Sequence, residues 1–85
     1  MTEIEMSQCL ENNENKYCNI LTDCGILKGV YLEKFSKNNI DYVKIRATGE
    51  LRERLDYVAT IDGSKIRGGI IAIPYNLIIS IQFNH

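Results

Sequence analysis

The sequence predicts a small all-β domain: a strongly bent barrel of five to six antiparallel strands that follows a short N-terminal helix. Short segments rich in β-branched and aromatic residues recur along the 85-residue chain with turn signals between them, which is typical of a small barrel. Residues 68–85 contain no Asp, Glu, Lys or Arg, although a quarter of the chain is charged. Gly29 interrupts an apolar strand segment, and a glycine in such a position usually marks a sharp bend or a bulge.

The whole chain is predicted to be one domain, with residues 1–15 as a helical arm and residues 16–85 as the barrel. Thr2 and Glu5 have the spacing of a capping box, in which the two residues satisfy free N–H groups of the first helical turn. A helix of two or three turns is marginal by itself, so we expect it to dock on the barrel.

The strand segments are separated by residues that favour turns, such as Asp23-Cys24-Gly25 and the Asp62-Gly63 pair of a hairpin. One stretch is ambiguous, because residues 51–55 fit either the approach to a strand or a helical turn. The strands are predicted at residues 17–22, 26–35, 40–47, 55–61, 65–73 and 77–83.

The uncharged tail is predicted to form the margin of the sheet. Pro74, Tyr75 and Asn76 favour a tight turn between two apolar runs, because proline fixes its φ angle and asparagine tolerates turn conformations. Strict alternation places Ile79 and Ile81 on one face of the second run, and both faces of the first run are apolar. A strand pair that is apolar on both faces must be shielded from water on both sides. One face is predicted to pack on the core and the other on a second copy of the protein. The predicted interface residues are Ile70, Ala72, Ile78 and Ser80.

Composition predicts a cytoplasmic protein without a membrane span, because the N-terminus is acidic and no long apolar run is present. The three cysteines are expected to be reduced thiols. Cys9, Cys18, Cys24 and His85 lack the close paired spacing of zinc ligands, so neither a metal nor a cofactor is predicted. Catalysis is not predicted either, since no phosphate-binding loop, nucleophile elbow or metal-binding helix motif is present.

Residues 20–45 resemble the first motif of the Sm and Sm-like (LSm, Hfq-type) proteins. That motif has a strand, an Asp-Gly turn, a second strand with a bending glycine followed by Phe-Asp, and an asparagine before a third strand. The sequence diverges where Ser36 replaces the aspartate and where the second motif, Ile66-Arg67-Gly68, precedes a full strand. The resemblance implies an N-terminal helix, a bent five-stranded barrel and assembly into rings that bind RNA. The positions that approximate the first motif are Asp23, Gly25, Gly29, Phe35 and Asn39.

The resemblance also implies where RNA is bound. In the family, the loop after the second strand and the loop before the last strand face the ring pore and bind the RNA. Their chemistry here suits unpaired RNA, since an aromatic ring stacks on bases, amides reach base edges and a lysine contacts phosphate. The corresponding residues are Lys37, Asn38, Asn39, Tyr75 and Asn76.

Two functions remain open on the sequence. The first is a homo-oligomeric ring that binds single-stranded RNA, and the second is a protein-interaction or scaffolding barrel that binds another protein and no nucleic acid. Residues 1–24 carry five acids and one base, whereas residues 28–67 carry nine bases and six acids, which is a weak signal for nucleic acid. A second candidate basic patch consists of Arg46, Arg52, Arg54, Lys65 and Arg67.

Overall fold

The structure, a computed structural model, describes residues 3–55 and 67–84. These ranges contain two short helices and five strands, which confirms the predicted all-β class. The helices are α1 (Glu3–Leu10) and α2 (Gly49–Leu55). The strands are β1 (Tyr17–Thr22), β2 (Gly25–Lys37), β3 (Ile40–Ala47), β4 (Ile70–Pro74) and β5 (Ile78–Phe83), with 3₁₀ turns at Arg67–Gly69 and Tyr75–Leu77 before the last two.

The five strands form one antiparallel sheet in the order β4-β3-β2-β1-β5. The 13-residue β2 is central: its first half pairs with β1 and its second half pairs with β3. Gly29 lies at the changeover, because it is paired with Cys18 on one side and with Ala47 on the other. In the described part of the chain, β4 and β5 are the edge strands of the sheet.

Glycine is required at position 29 of β2 for a steric reason. The backbone of β3 approaches so closely that a Cβ atom on Gly29 would lie 2.5 Å from the carbonyl oxygen of Arg46. A register shift between Tyr31 and Glu33 adds a bulge to the same strand, and bulges increase local bending and twist. The glycine and the bulge together allow one long strand to serve both halves of the sheet.

The core lies between the sheet and α1. Ile20, Val43 and Ile45 are fully buried, and Met6 and Leu10 of α1 are only 1% and 2% exposed. The predicted docking of the N-terminal helix is therefore confirmed, since residues four apart lie on one side of a helix.

The alternation predicted for the last strand is wrong at its beginning. Ile78 is buried and belongs to the core, whereas Ile79 is 49% exposed. The pairing of β5 with β1 shifts register there and leaves Ile79 as an extra residue. Because a bulge reverses the alternation that follows it, Ile78 and Ile81 both point inward although they are three residues apart.

Two further segments were ambiguous or predicted differently from the sequence. Residues 51–55 adopt the helical alternative as part of α2. In the strand predicted at 65–73, residues 67–69 form a 3₁₀ turn, in which Gly68 and Gly69 have φ angles of +62° and +68°, and residues 70–73 are extended, while residues 65 and 66 lie outside the described residues. Residues 56–61 of the intervening predicted strand and its Asp62-Gly63 hairpin lie outside the described residues.

We expect Gly29→Ala to destabilise the protein by about 2 kcal/mol or more, because the added methyl group meets backbone atoms of Arg46 that no side-chain rotation can move. Urea unfolding followed by circular dichroism measures the loss. Lys28→Ala, at the exposed neighbouring position, is the matched control and should change stability by less than about 0.5 kcal/mol. Equal unfolding midpoints for the two variants would show that the close approach is not required.

Candidate functional site

The turn between β2 and β3 presents three of the predicted site residues. Lys37 and Ile40 form the last cross-strand pair, so the turn itself contains only Asn38 and Asn39. Both asparagines have positive φ angles, 54° and 64°, as a type I′ hairpin turn requires, and asparagine tolerates this conformation better than most residues. Lys37, Asn38 and Asn39 are consequently exposed at the tip of a rigid hairpin.

The turn between β4 and β5 holds the other two predicted residues. Pro74 pairs with Tyr42 across the sheet, and Tyr75 follows immediately in a 3₁₀ turn. Tyr75 is half-buried and Asn76 is exposed. The structure therefore brings both turns to the same end of the sheet.

A groove of about 220 Å³ connects the second turn to the base of the hairpin. Below the hairpin turn, the Ser36 hydroxyl donates a hydrogen bond to the Asp41 carboxylate, so the serine that stands in place of the family's aspartate has an acidic partner across the strand pair. Tyr75 lines the groove together with Ser7, Lys34, Phe35, Ser36 and Asp41. Tyr75 thus lies beside the base of the hairpin, whereas Lys37, Asn38 and Asn39 lie at its tip.

Two aromatic residues in this region were given no binding role by the sequence. Phe35 and Tyr42 face each other across β2 and β3 and stack, with ring centroids 5.1 Å apart and planes inclined by 14°. The Lys44 ammonium lies 5.1 Å from the Phe35 ring centroid and donates a hydrogen bond to Glu33 at 2.8 Å. The sequence contained a signal for this pairing. In a hairpin with a two-residue turn at Asn38-Asn39, residues equally far from the turn lie opposite each other, as Phe35 and Tyr42 do.

Tyr31 is a buried aromatic residue of β2. Its ring packs edge-to-face against Phe83, with centroids 5.8 Å apart and planes inclined by 73°. The pKa of Tyr31 is raised to about 12, mainly by burial of the phenol and also by the nearby Glu14, Tyr75 and Glu33, while a backbone hydrogen bond from Lys34 lowers it. Tyr31 is therefore a neutral structural phenol at physiological pH.

The second candidate basic patch is divided between elements. Arg46 is exposed on β3, while Arg54 of α2 pairs with Glu50 at 3.4 Å. The guanidinium of Arg52 lies against Gly69, where a Cβ atom would overlap it. Arg67 begins the 3₁₀ turn before β4, and Lys65 lies outside the described residues.

The predicted interface residues differ from one another in solvent exposure. Ile70, at 45% exposure, Ala72 and Ser80 are at the surface, on the two edge strands. Ile78 is 4% exposed and packs in the chain's own core, so the prediction that placed it on the surface with Ser80 is corrected. Ile79, rather than Ile78, is the aliphatic residue of β5 whose side chain is exposed.

The described residues show no group of three or more His, Cys, Asp or Glu side chains that could bind a metal ion. Helices in the described ranges are all too short or too polar to cross a membrane. Comparisons with family models, with curated proteins and with solved structures found no match for the chain. Function is therefore argued from residue chemistry and geometry.

The three cysteines should react with thiol reagents at very different rates. Cys24 is exposed in the β1–β2 turn, Cys9 is half-buried, and Cys18 is buried with its pKa raised to about 11 by desolvation. At pH 8 we expect a maleimide to modify Cys24 first and Cys18 only when the protein unfolds. Mass spectrometry of the labelled peptides measures the order, and Cys24→Ser is the control that removes the fast phase. Rapid modification of Cys18 in the folded protein would contradict its placement in the core.

Proposed function

We propose that this protein is an Sm-like protein that binds single-stranded RNA and works as a ring of identical subunits in the cytoplasm. The observation that carries the proposal is the position of the two turns. Lys37, Asn38 and Asn39 lie at the tip of the β2–β3 hairpin, and Tyr75 borders a groove at its base. The residues to which the resemblance assigns RNA binding are thus gathered at one end of the sheet.

The architecture supports the proposal. The resemblance implies an N-terminal helix followed by five antiparallel strands with a glycine in the bent second strand. The described residues have α1 docked on the sheet, five antiparallel strands and Gly29 at the point where β2 changes partners. The described arrangement of helices and strands thus agrees with the one that the resemblance implies. This support does not depend on the charge balance of the chain.

The chemistry of the turns is that of single-stranded RNA recognition. The Tyr75 ring provides a stacking surface for a base, the amides of Asn38 and Asn39 donate to and accept from base edges, and Lys37 meets phosphate. The type I′ turn holds both asparagines in one conformation, which reduces the entropy lost when RNA binds.

The edge strands support assembly. An edge strand presents backbone N–H and C=O groups that can pair with another chain, and β4 and β5 form the two edges of the described sheet. Ile70 on β4 and Ile79 on β5 are about half exposed, so both edges also carry aliphatic side chains. A repeated contact between β4 of one subunit and β5 of the next is head-to-tail, and such contacts close into rings when the rotation allows.

The same exposed aliphatic side chains favour a second candidate, a scaffolding barrel that binds another protein. Leu77 and Ile79 are 53% and 49% exposed beside an edge strand, which is the surface that strand addition by a protein partner uses. Binding of RNA distinguishes the two functions.

We expect the purified protein to bind labelled oligouridine or oligoadenosine at low salt, with affinity that falls as salt rises. Tyr75→Ala should weaken binding about tenfold, because loss of one stacked base costs roughly 1–3 kcal/mol. Asn38→Gly and Asn39→Gly remove the amides but keep the positive φ angles, so they separate base contacts from turn geometry. Fluorescence anisotropy measures all four proteins.

Tyr17→Ala is the matched control, since Tyr17 is 59% exposed on β1 and belongs to neither turn. Equal affinities for Tyr75→Ala, Tyr17→Ala and the unmodified protein would remove Tyr75 from the RNA site. If the unmodified protein binds neither oligonucleotide at low salt, RNA binding is overturned and the scaffolding function is the remaining candidate.

We expect light scattering to give a particle mass several times that of the 9.7 kDa monomer. Ile79→Lys and Ile70→Lys should shift the particle toward monomer, because a lysine on an edge strand opposes pairing with another strand. Ile26→Lys is the control, since Ile26 is 58% exposed but lies on the central strand β2. A monomeric unmodified protein would overturn the ring.

A further inference from the structure

We propose that the outer face of β2 and β3 carries a second contact surface for the same RNA strand, beyond the two turns. It consists of Phe35, Tyr42, Lys44 and Arg46, and we call it the aromatic–basic face. The inference rests on the proposed RNA binding, and it assigns an RNA-binding role to residues to which the motif resemblance gives none.

Strand register places these side chains on one surface. Val43 and Ile45 are fully buried, so the alternate residues Tyr42, Lys44 and Arg46 of β3 point away from the core. Phe35 is directly opposite Tyr42. The four residues therefore form a continuous outer surface that begins just below the hairpin turn.

The aromatic part of the face is held in place before any ligand binds. The stacked rings of Phe35 and Tyr42 are fixed by their cross-strand positions, and the Lys44 ammonium lies over the Phe35 ring. Both rings are half-buried, so part of each remains accessible. Fixed aromatic surfaces of this kind bind unpaired bases with little loss of conformational entropy.

The charge of the face complements phosphate. Lys44 is balanced by Glu33 at 2.8 Å. Arg46 is exposed and has no ion-pair partner among residues 3–55 and 67–84, and Lys37 adds a further cation at the hairpin tip. The outer face therefore keeps a net positive charge.

The opposite side of β2 has the reverse charge. A groove of about 660 Å³ between α1 and β2 is bordered by the acids Glu11, Glu14 and Glu33 and by one base, Lys34, so its net charge is negative and repels phosphate. An RNA strand that leaves the hairpin tip is thus repelled on the helix side and attracted on the outer face.

The dimensions fit an extension of the turn site. Tyr42 lies three residues from Asn39 and Arg46 lies four residues further along β3, which places them about 10 Å and a further 13 Å along the strand. A strand bound at the turns reaches Tyr42 first and Arg46 second. Longer oligonucleotides should therefore bind more tightly than those that occupy the turns alone.

The test compares variants of the face with variants of the same type elsewhere. Tyr42→Leu should weaken binding of a long oligouridine about tenfold, as expected for one lost stacked base. Arg46→Gln should lower the slope of log affinity against log salt by about 0.7, the value for one phosphate contact on a single strand. Tyr17→Leu and Lys28→Gln, on other exposed parts of the sheet, should change neither quantity. Circular dichroism and thermal melting confirm that each variant is folded.

Tyr42→Phe keeps the stacked ring and should retain the affinity of the unmodified protein. Arg46 is at the surface, so Arg46→Gln remains informative even where Tyr42→Leu reduces stability. Tyr75→Ala is measured in parallel to test the turn site separately.

The results distinguish the two sites. If Tyr75→Ala weakens binding while Tyr42→Leu and Arg46→Gln behave like their controls, the aromatic–basic face is overturned and the turn site stands. If the face variants weaken binding and Tyr75→Ala does not, the face stands and the turn assignment falls. If the unmodified protein binds no RNA at low salt, both are overturned and a protein partner becomes the occupant to seek.

Discussion

At Gly29 the backbone of β2 lies so close to the carbonyl group of Arg46 that no side chain fits between the two strands. This approach occurs where β2 exchanges β1 for β3 as its pairing partner. A single long strand can then pair with both β1 and β3, which in turn pair with β5 and β4 at the margins of the sheet. The order of the strands and the positions of both sheet edges depend on that one contact.

The candidate site depends on a second constraint, the two-residue turn of the hairpin. Because Asn38 and Asn39 alone connect the strands, residue 37 pairs with residue 40 and each pair below it is fixed. That register brings Phe35 against Tyr42 and, through β3 and β4, brings Tyr42 beside Pro74. Rings, amides and cations consequently occupy defined positions, and the cost of ordering them is met during folding.

Local signals were sufficient for much of the fold. The bounds of β1 and β3 were predicted correctly, because alternation and turn residues act over a few positions. The bulge at Ile79 was missed. Its position is decided by the pairing with β1, and the three consecutive aliphatic residues at 77–79 give no local signal of which one is the extra residue. The stack of Phe35 on Tyr42 was missed because the turn was predicted over residues 36–39, which left the register undefined. The closeness of Tyr75 to the hairpin arises from β3–β4 pairing and has no local signal.

The pairing of β5 with β1 joins the last strand of the chain to the first. The neighbouring pairs β1–β2 and β2–β3 are hairpins with short turns, so they can form as soon as those residues emerge during synthesis. The contact between β1 and β5 has to wait until β5 has been synthesised, and it has a larger loop-closure entropy cost because its two strands are far apart in sequence. Until then, the side of β1 that β5 covers in the folded sheet is unpaired, and it presents free backbone N–H and C=O groups of the kind at which strands of other chains can add.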